Sequence, residues 1–172
     1  MKQSIVLIGV PGAGKTTVGE LLAAHLGMGF IDSDHVIEEQ AGKPISDIFT
    51  EDGEDVFRAS EARVIADLLS GKQQVVSLGG GALGNVNTRD IVKNHIVVWL
   101  ETGLTQAVER VGLNRNRPLL LGNVRGQLSA LMTAREPIYR ETATITVDTS
   151  SRDVAQVVQA TLQELAKLGI SP

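Results

Sequence analysis

Five short apolar runs punctuate the chain, at residues 4–8, 29–31, 74–78, 96–100 and 143–147. Each is too short for a helix and is bounded by turn-forming or polar residues, so each reads as a strand buried on both faces. Between them the apolar positions change period. Over residues 15–26, Val18, Leu21, Leu22 and Leu26 recur at helical spacing, with Gly27 and Gly29 as the stop. Further helical patterns cover residues 36–40, 45–49, 54–69, 105–111, 124–135 and 154–168. Strands that alternate with helices predict an α/β fold, a parallel sheet covered by helices on both faces in three α/β/α layers. No internal repeat or low-complexity stretch is present. Residues 113–125 concentrate Asn, Gly and Arg around a single Pro between two helical patterns, and read as a mobile connection.

Composition narrows the function classes. At 172 residues, 42% hydrophobic and 21% charged, the chain reads as one globular domain spanning residues 1–172. No run approaches the roughly 20 apolar residues of a membrane span. The first strand begins so close to Met1 that no room is left for a cleaved leader, and a cytoplasmic protein is expected. There is no cysteine, which excludes disulfides, thiolate chemistry and Cys-ligated metals, so any metal must be held by oxygen or imidazole. With a net charge of −4, one Trp, one Tyr and three Phe, the chain carries neither the basic footprint nor the stacking surface of a nucleic-acid binder.

The strongest chemical signal is Gly9-Val-Pro-Gly-Ala-Gly-Lys15-Thr16, which satisfies G-x-x-x-x-G-K-[ST]. It lies between a predicted strand and a predicted helix, the context in which this pattern cradles phosphates. Backbone N–H groups of Gly12, Ala13, Gly14, Lys15, Thr16 and Thr17 are expected on a nucleotide's phosphate oxygens, helped by the helix N-terminus. Lys15 would reach the β and γ phosphates, and the Thr16 hydroxyl would ligate Mg²⁺. The loop alone does not separate a kinase from a GTPase or an ATPase.

Weaker signals cluster where open α/β sheets bind ligands, at strand carboxyl ends. Asp32-Ser33-Asp34 follows the second strand. Two acids two apart on an extended segment face one side, so one can join a metal shell while the other orients an attacking hydroxyl or takes its proton. The alternative is a helix cap at Ser33 or Asp34. In the helix from residue 54, Glu61 falls on the apolar stripe with Phe57, Val64 and Leu68, and Arg58 stands three residues before it. Glu61 would brace that guanidinium for a substrate, unless the two form an ordinary surface pair. Gly79-Gly80-Gly81 ends the third strand, allowing close approach of a ligand to the backbone or serving as a flexible connector. Arg117 precedes Pro118 in the mobile connection, and Arg135 and Arg140 flank Pro137-Ile138-Tyr139. His25, His35 and His95 lack metal-ligand spacing and read as structural or surface residues, and Trp99 as core.

The set GVPGAGKTTVG at 9–19, DSD at 32–34, FRASE at 57–61, SLGGGA at 77–82, RPLL at 117–120 and REPIYR at 135–140 resembles the shikimate kinase family, within the nucleoside-monophosphate-kinase-like P-loop enzymes. The resemblance implies a five-stranded parallel sheet of order 2-3-1-4-5, substrate-binding helices at about 33–61 and a lid at about 113–125. It implies ATP with Mg²⁺ as donor, the 3-hydroxyl of shikimate as acceptor, a place in aromatic amino-acid biosynthesis, and a monomer. Lys15, Asp34 and Arg117 would be catalytic. Asp34, Arg58, Gly79, Gly80, Gly81 and Arg135 would bind shikimate, and Thr16 with Asp32 the metal. Arg110 and Arg152 would lie at the adenine. The loop at residues 151–154 lacks the proline that family members carry, and Ser33 stands where Thr is more usual. Gluconate kinase is the enzymatic rival, opposed by the triple glycine and Arg58. A nucleotide-dependent switch module is the rival from another class, opposed by the absence of an Asn-Lys-x-Asp signature.

Overall fold

The computed structural model describes residues 2–112 and 123–172. Strand β1 (Ile5–Ile8) leads through the glycine loop into α1 (Lys15–Leu26), followed by β2 (Gly29–Asp32), α2 (Ser33–Ala41) and the short α3 (Ile45–Asp47). Then come α4 (Glu54–Ser70), β3 (Gln74–Ser77), α5 (Val86–Val92), β4 (Ile96–Glu101), α6 (Leu104–Gly112), α7 (Val124–Thr142), β5 (Ile145–Asp148) and α8 (Val154–Lys167). All four strand pairings are parallel, and the sheet order is β2-β3-β1-β4-β5, as the resemblance implied.

The apolar runs of β1, β3 and β4 have a simple cause: successive side chains enter opposite cores, both closed by helices. The edge strands β2 and β5 are not buried on both faces as expected, β2 being only partly buried and β5 alternating buried with exposed residues. In β1, Val6 and Ile8 point into a cluster shared with Ile65 of α4, Val92 of α5, Ala107 of α6, and Leu128 and Tyr139 of α7. Ile5 and Leu7 point the other way, onto Val18 and Leu22 of α1 and Val157, Val158 and Leu165 of α8. A third, smaller cluster of Ile37, Ile48, Phe57 and Val64 holds α2, α4 and the turn between them together beyond the sheet edge.

Several local expectations change. The helix expected at residues 36–40 begins at Ser33, directly at the end of β2, because the Asp32 carboxylate caps it through the Asp34 and His35 N–H groups. The pattern at residues 45–49 is not one α-helix: α3 passes into a π-turn, Ile48–Asp52, closed by Gly53 N–H on the Ile48 carbonyl at 3.0 Å. α5 has no counterpart in the periodicity, being a single short stretch set by the Asn85 side chain accepting from Thr88 N–H at 3.1 Å. α7 does not stop at Arg135; it runs through Pro137 to Thr142, and the turn beyond the proline is held by burial of Tyr139 and by the Ala143 N–H on the Tyr139 carbonyl. That displaces the start of β5 from residue 143 to 145. Val124 and Arg125, the end of the expected lid, already belong to α7, capped by Asn123. Arg117 and the rest of residues 113–122 lie outside the described residues. No helix among the described residues is long and apolar enough to cross a membrane.

Candidate active site

The turn from β1 into α1 is built by glycines at two positions where no other residue fits well. Gly12 has φ 84° and Gly14, the N-cap of α1, φ 86°, both left-handed. At Gly12 a Cβ would also stand 3.0 Å from the Ala107 carbonyl oxygen, so the glycine lets α6 press against the loop. α1 carries no side-chain cap and no acidic residue in its first turn, which leaves its N-terminal N–H groups and partial positive charge facing outward for an anion. Lys15 Nζ donates to the carbonyls of Gly9 at 2.7 Å and Val10 at 3.2 Å, lying across the loop's mouth. Ala13 is buried, whereas Thr16 and Thr17 are exposed on the first turn. Arg110, from α6, donates to the Gly12 carbonyl at 3.0 Å, so its guanidinium rests on the same loop.

Asp32 and Asp34 do not share an extended segment. Asp32 ends the strand, Asp34 stands in the first turn of α2, and the two carboxylates serve different neighbours. Asp32 Oδ1 accepts from the Asp34 N–H at 2.9 Å and the His35 N–H at 3.4 Å. Its Oδ2 accepts from the Thr16 hydroxyl at 3.1 Å. The cap is therefore Asp32 and neither Ser33 nor Asp34. Thr16 and Asp32 together present oxygen donors only, at the phosphate loop, and fit a hard cation that keeps most of its waters and takes one or two protein ligands.

Asp34 instead meets the triple glycine. A Cβ built on Gly79 would stand 2.7 Å from Asp34 Oδ1; on Gly80, 2.7 Å from Arg135 Nη1; and on Gly81, 2.6 Å from Arg58 Nη2. Three consecutive glycines thus receive three polar side chains from α2, α7 and α4. None of the three glycines has a left-handed φ, so the requirement here is space and not backbone freedom. On its other side Gly80 abuts the phosphate loop, its added Cβ lying 3.4 Å from Pro11 Cδ. Two hydroxyls hold the glycine segment: Ser33 accepts from the Gly79 N–H at 3.4 Å, and Tyr139 donates to the Gly80 carbonyl at 2.7 Å.

Arg58 Nη1 donates to Glu61 Oε1 at 2.8 Å, and its guanidinium also lies 5.1 Å from the centre of the Phe57 ring. The pair is no ordinary surface pair, since Glu61 is buried. Burial pushes the Glu61 carboxyl above the ordinary range; Arg58 pulls it back, and the nearby Asp34 carboxylate pushes it further up. Glu61 Oε2 is buried without a hydrogen-bond partner among the described residues.

Tyr139 is the residue the sequence reading passed over. It is 2% exposed, its ring centre lies 5.8 Å from that of Trp99, and the positive charge of Arg135 acts on its hydroxyl. Burial holds its phenol up at about 12, so it stays a donor throughout the physiological range. Its signal was the spacing Arg135-x-x-x-Tyr139, one helical turn, which a helix ending at Arg135 would have hidden.

Other candidates stand apart from this cluster. Arg152 donates to the Asp148 carbonyl at 2.9 Å in the turn after β5, where Ser151 adopts a left-handed φ of 59°. Among the described residues no group of three His, Asp or Glu is placed to hold a metal ion. His95 accepts the Ser4 N–H at 3.1 Å, a structural role, and Trp99 is core.

Comparison with known proteins agrees with this geometry. The shikimate kinase family model matches residues 11–166. A shikimate kinase of Thermobifida fusca is 51% identical over 164 residues, 95% of each chain. The structure of a shikimate kinase from Acinetobacter baumannii in complex with shikimate superposes with a TM-score of 0.94 at 39% identity, covering 98% of this chain and 96% of that one. A gluconokinase from Sinorhizobium meliloti reaches only 0.65 at 25% identity, over 96% and 93% of the two chains. A family model matching residues 11–166 and a relative 51% identical over 95% of the chain leave a single assignment: this chain belongs to the shikimate kinase family.

Proposed function

We propose that the chain transfers the γ-phosphoryl group of ATP to the 3-hydroxyl of shikimate. The observation that carries this is the convergence of Asp34, Arg58 and Arg135 on Gly79–Gly81, directly against the phosphate loop at Pro11. One carboxylate and two guanidinium groups suit an acceptor that has hydroxyls at one end and a carboxylate at the other.

Each residue then has a task. The N–H groups from Gly12 to Thr17 hold the phosphates at the start of α1, and Lys15 moves from its loop carbonyls to the β and γ oxygens. Thr16 and Asp32 would hold Mg²⁺, which supplies positive charge to the phosphate oxygens. Arg58, braced by Glu61, and Arg135 clamp the acceptor's carboxylate, with Gly79–Gly81 making room beside it. Asp34 orients the acceptor hydroxyl and takes its proton as that oxygen bonds to the γ phosphorus and the bond to the ADP oxygen breaks. Arg110, already seated on the loop, faces the adenine side together with Arg152. Arg117, which lies outside the described residues, would place positive charge on the transferring group, and Arg117→Ala is expected to lower kcat by about 10³-fold. The helices at residues 33–61, held by their own small apolar cluster, form the acceptor-binding unit. The absence of cysteine supports a reducing cytoplasmic setting, and we take the working form to be a monomer.

The test is ADP release by the purified protein with ATP and Mg²⁺, with shikimate, gluconate or no acceptor added. Release that depends on shikimate is expected. Equal release with gluconate, or release that no acceptor alters, overturns the reading.

A further inference from the structure

We infer that Tyr139 is a positioning residue for the acceptor: its hydroxyl locks the Gly80 carbonyl and the Arg135 guanidinium into one rigid unit on which the acceptor's carboxylate is received. This rests on the reading of Arg135 given above and adds a residue that touches neither substrate in it.

A lone, unsupported Arg135 would make a poor clamp. A guanidinium on a flexible stem gains little from a carboxylate if it must first be ordered, because immobilising a long side chain costs free energy on binding. A clamp works better when the arginine is already held. Arg135 here is constrained from two sides: its Nη1 fills the space where a Gly80 side chain would stand, and its charge acts on the Tyr139 hydroxyl one helical turn further on. The same hydroxyl donates to the Gly80 carbonyl at 2.7 Å, so one oxygen fixes both the backbone and the arginine that must match it.

Tyr139 can do this because it is itself immobile. Its ring is buried between α7 and the sheet, against Trp99 of β4. Arg135 and Tyr139 are four residues apart on one helix, which puts both on one face. α7 reaches Tyr139 only by continuing through Pro137, so the helix bears an interior proline, a costly position, in the turn that carries the acceptor-facing pair. Deleting the hydroxyl leaves a half-buried carbonyl without its donor and loosens the guanidinium at once.

The experiment compares wild type, Tyr139→Phe, Arg135→Lys and the double variant, measuring kcat and KM for each substrate. Phe keeps the ring packing; Thr142→Val, which removes another buried hydroxyl of α7 that bonds only within the helix, is the control for general loss of stability. Tyr139→Phe is expected to raise KM for shikimate about tenfold, with KM for ATP and kcat within twofold, and Thr142→Val to leave both KM values unchanged. In the Arg135→Lys background the hydroxyl should matter less than threefold, because the group it positions is gone. Unchanged KM for shikimate in Tyr139→Phe, an equal rise for ATP, or the same tenfold effect in the Arg135→Lys background overturns the inference while shikimate-dependent turnover of the wild type stands. Wild-type protein with no such turnover overturns the functional reading and this inference with it.

Discussion

Arg58 and Glu61 form an ion pair with unequal surroundings: the guanidinium is 30% exposed and the carboxylate it holds is 4% exposed. The arginine faces outward for a ligand, while its partner is anchored in the protein. A charge-bearing carboxylate in that position is retained at a cost, which the raised Glu61 pKa records.

The first prediction concerns pH. Since the Glu61 carboxyl is raised above 4.5, the native state holds a proton that the unfolded chain releases. The stability it contributes is complete below the unfolded value and is lost as pH rises through the native one. Urea unfolding at a series of pH values should therefore show wild type losing stability over that interval relative to Glu61→Gln. Parallel curves for the two proteins would contradict the raised value. The same variant should raise KM for shikimate severalfold and leave KM for ATP unchanged, as Arg58 loses its charged anchor.

Lys15→Ala should leave a folded protein whose turnover falls by about 10³-fold, the scale on which a single preorganised donor at a developing charge acts. Circular dichroism and a coupled ADP assay check both halves. Near-normal turnover would remove the ammonium from the chemistry.

Asp34→Asn keeps the shape of the side chain beside Gly79 and removes its charge. We expect kcat lower by about 10²- to 10⁴-fold with nucleotide binding retained, the range for loss of a positioned acid–base group. Fluorescent-nucleotide titration beside the rate assay distinguishes this from unfolding.

Two glycines should respond to alanine in opposite ways. At Gly80 the backbone tolerates a side chain but the added Cβ would lie 2.7 Å from Arg135 Nη1, so Gly80→Ala should raise KM for shikimate at least tenfold with a small change in Tm. At Gly42 there is open space around the Cβ position but φ is 69°, so Gly42→Ala should lose about 1 kcal/mol of stability through backbone strain and leave both KM values alone. Kinetics and thermal melts on the pair decide it; a reversal would mean that crowding and strain have been assigned to the wrong positions.

What could be read without coordinates was local. Apolar runs at β1, β3 and β4 already mean a sheet buried on both faces, because a two-residue period with both sets apolar admits no wet side. The phosphate loop was legible for the same reason: its glycines, lysine and threonine act within eight consecutive residues. Interactions between distant parts of the chain were not. That Asp32 turns to Thr16 and Asp34 to Gly79 follows from α2 starting at the strand's last residue, and alternation along an extended segment gave the wrong geometry. That the triple glycine makes room for Asp34, Arg135 and Arg58 depends on α2, α7 and α4 meeting there, which packing of the two cores decides. Tyr139 stayed hidden because Pro137 argues locally for a helix end, while burial of the ring beneath it holds one more turn in place. Spacing fixes which neighbours on one element share a face; which elements share a site is settled only by how the cores close.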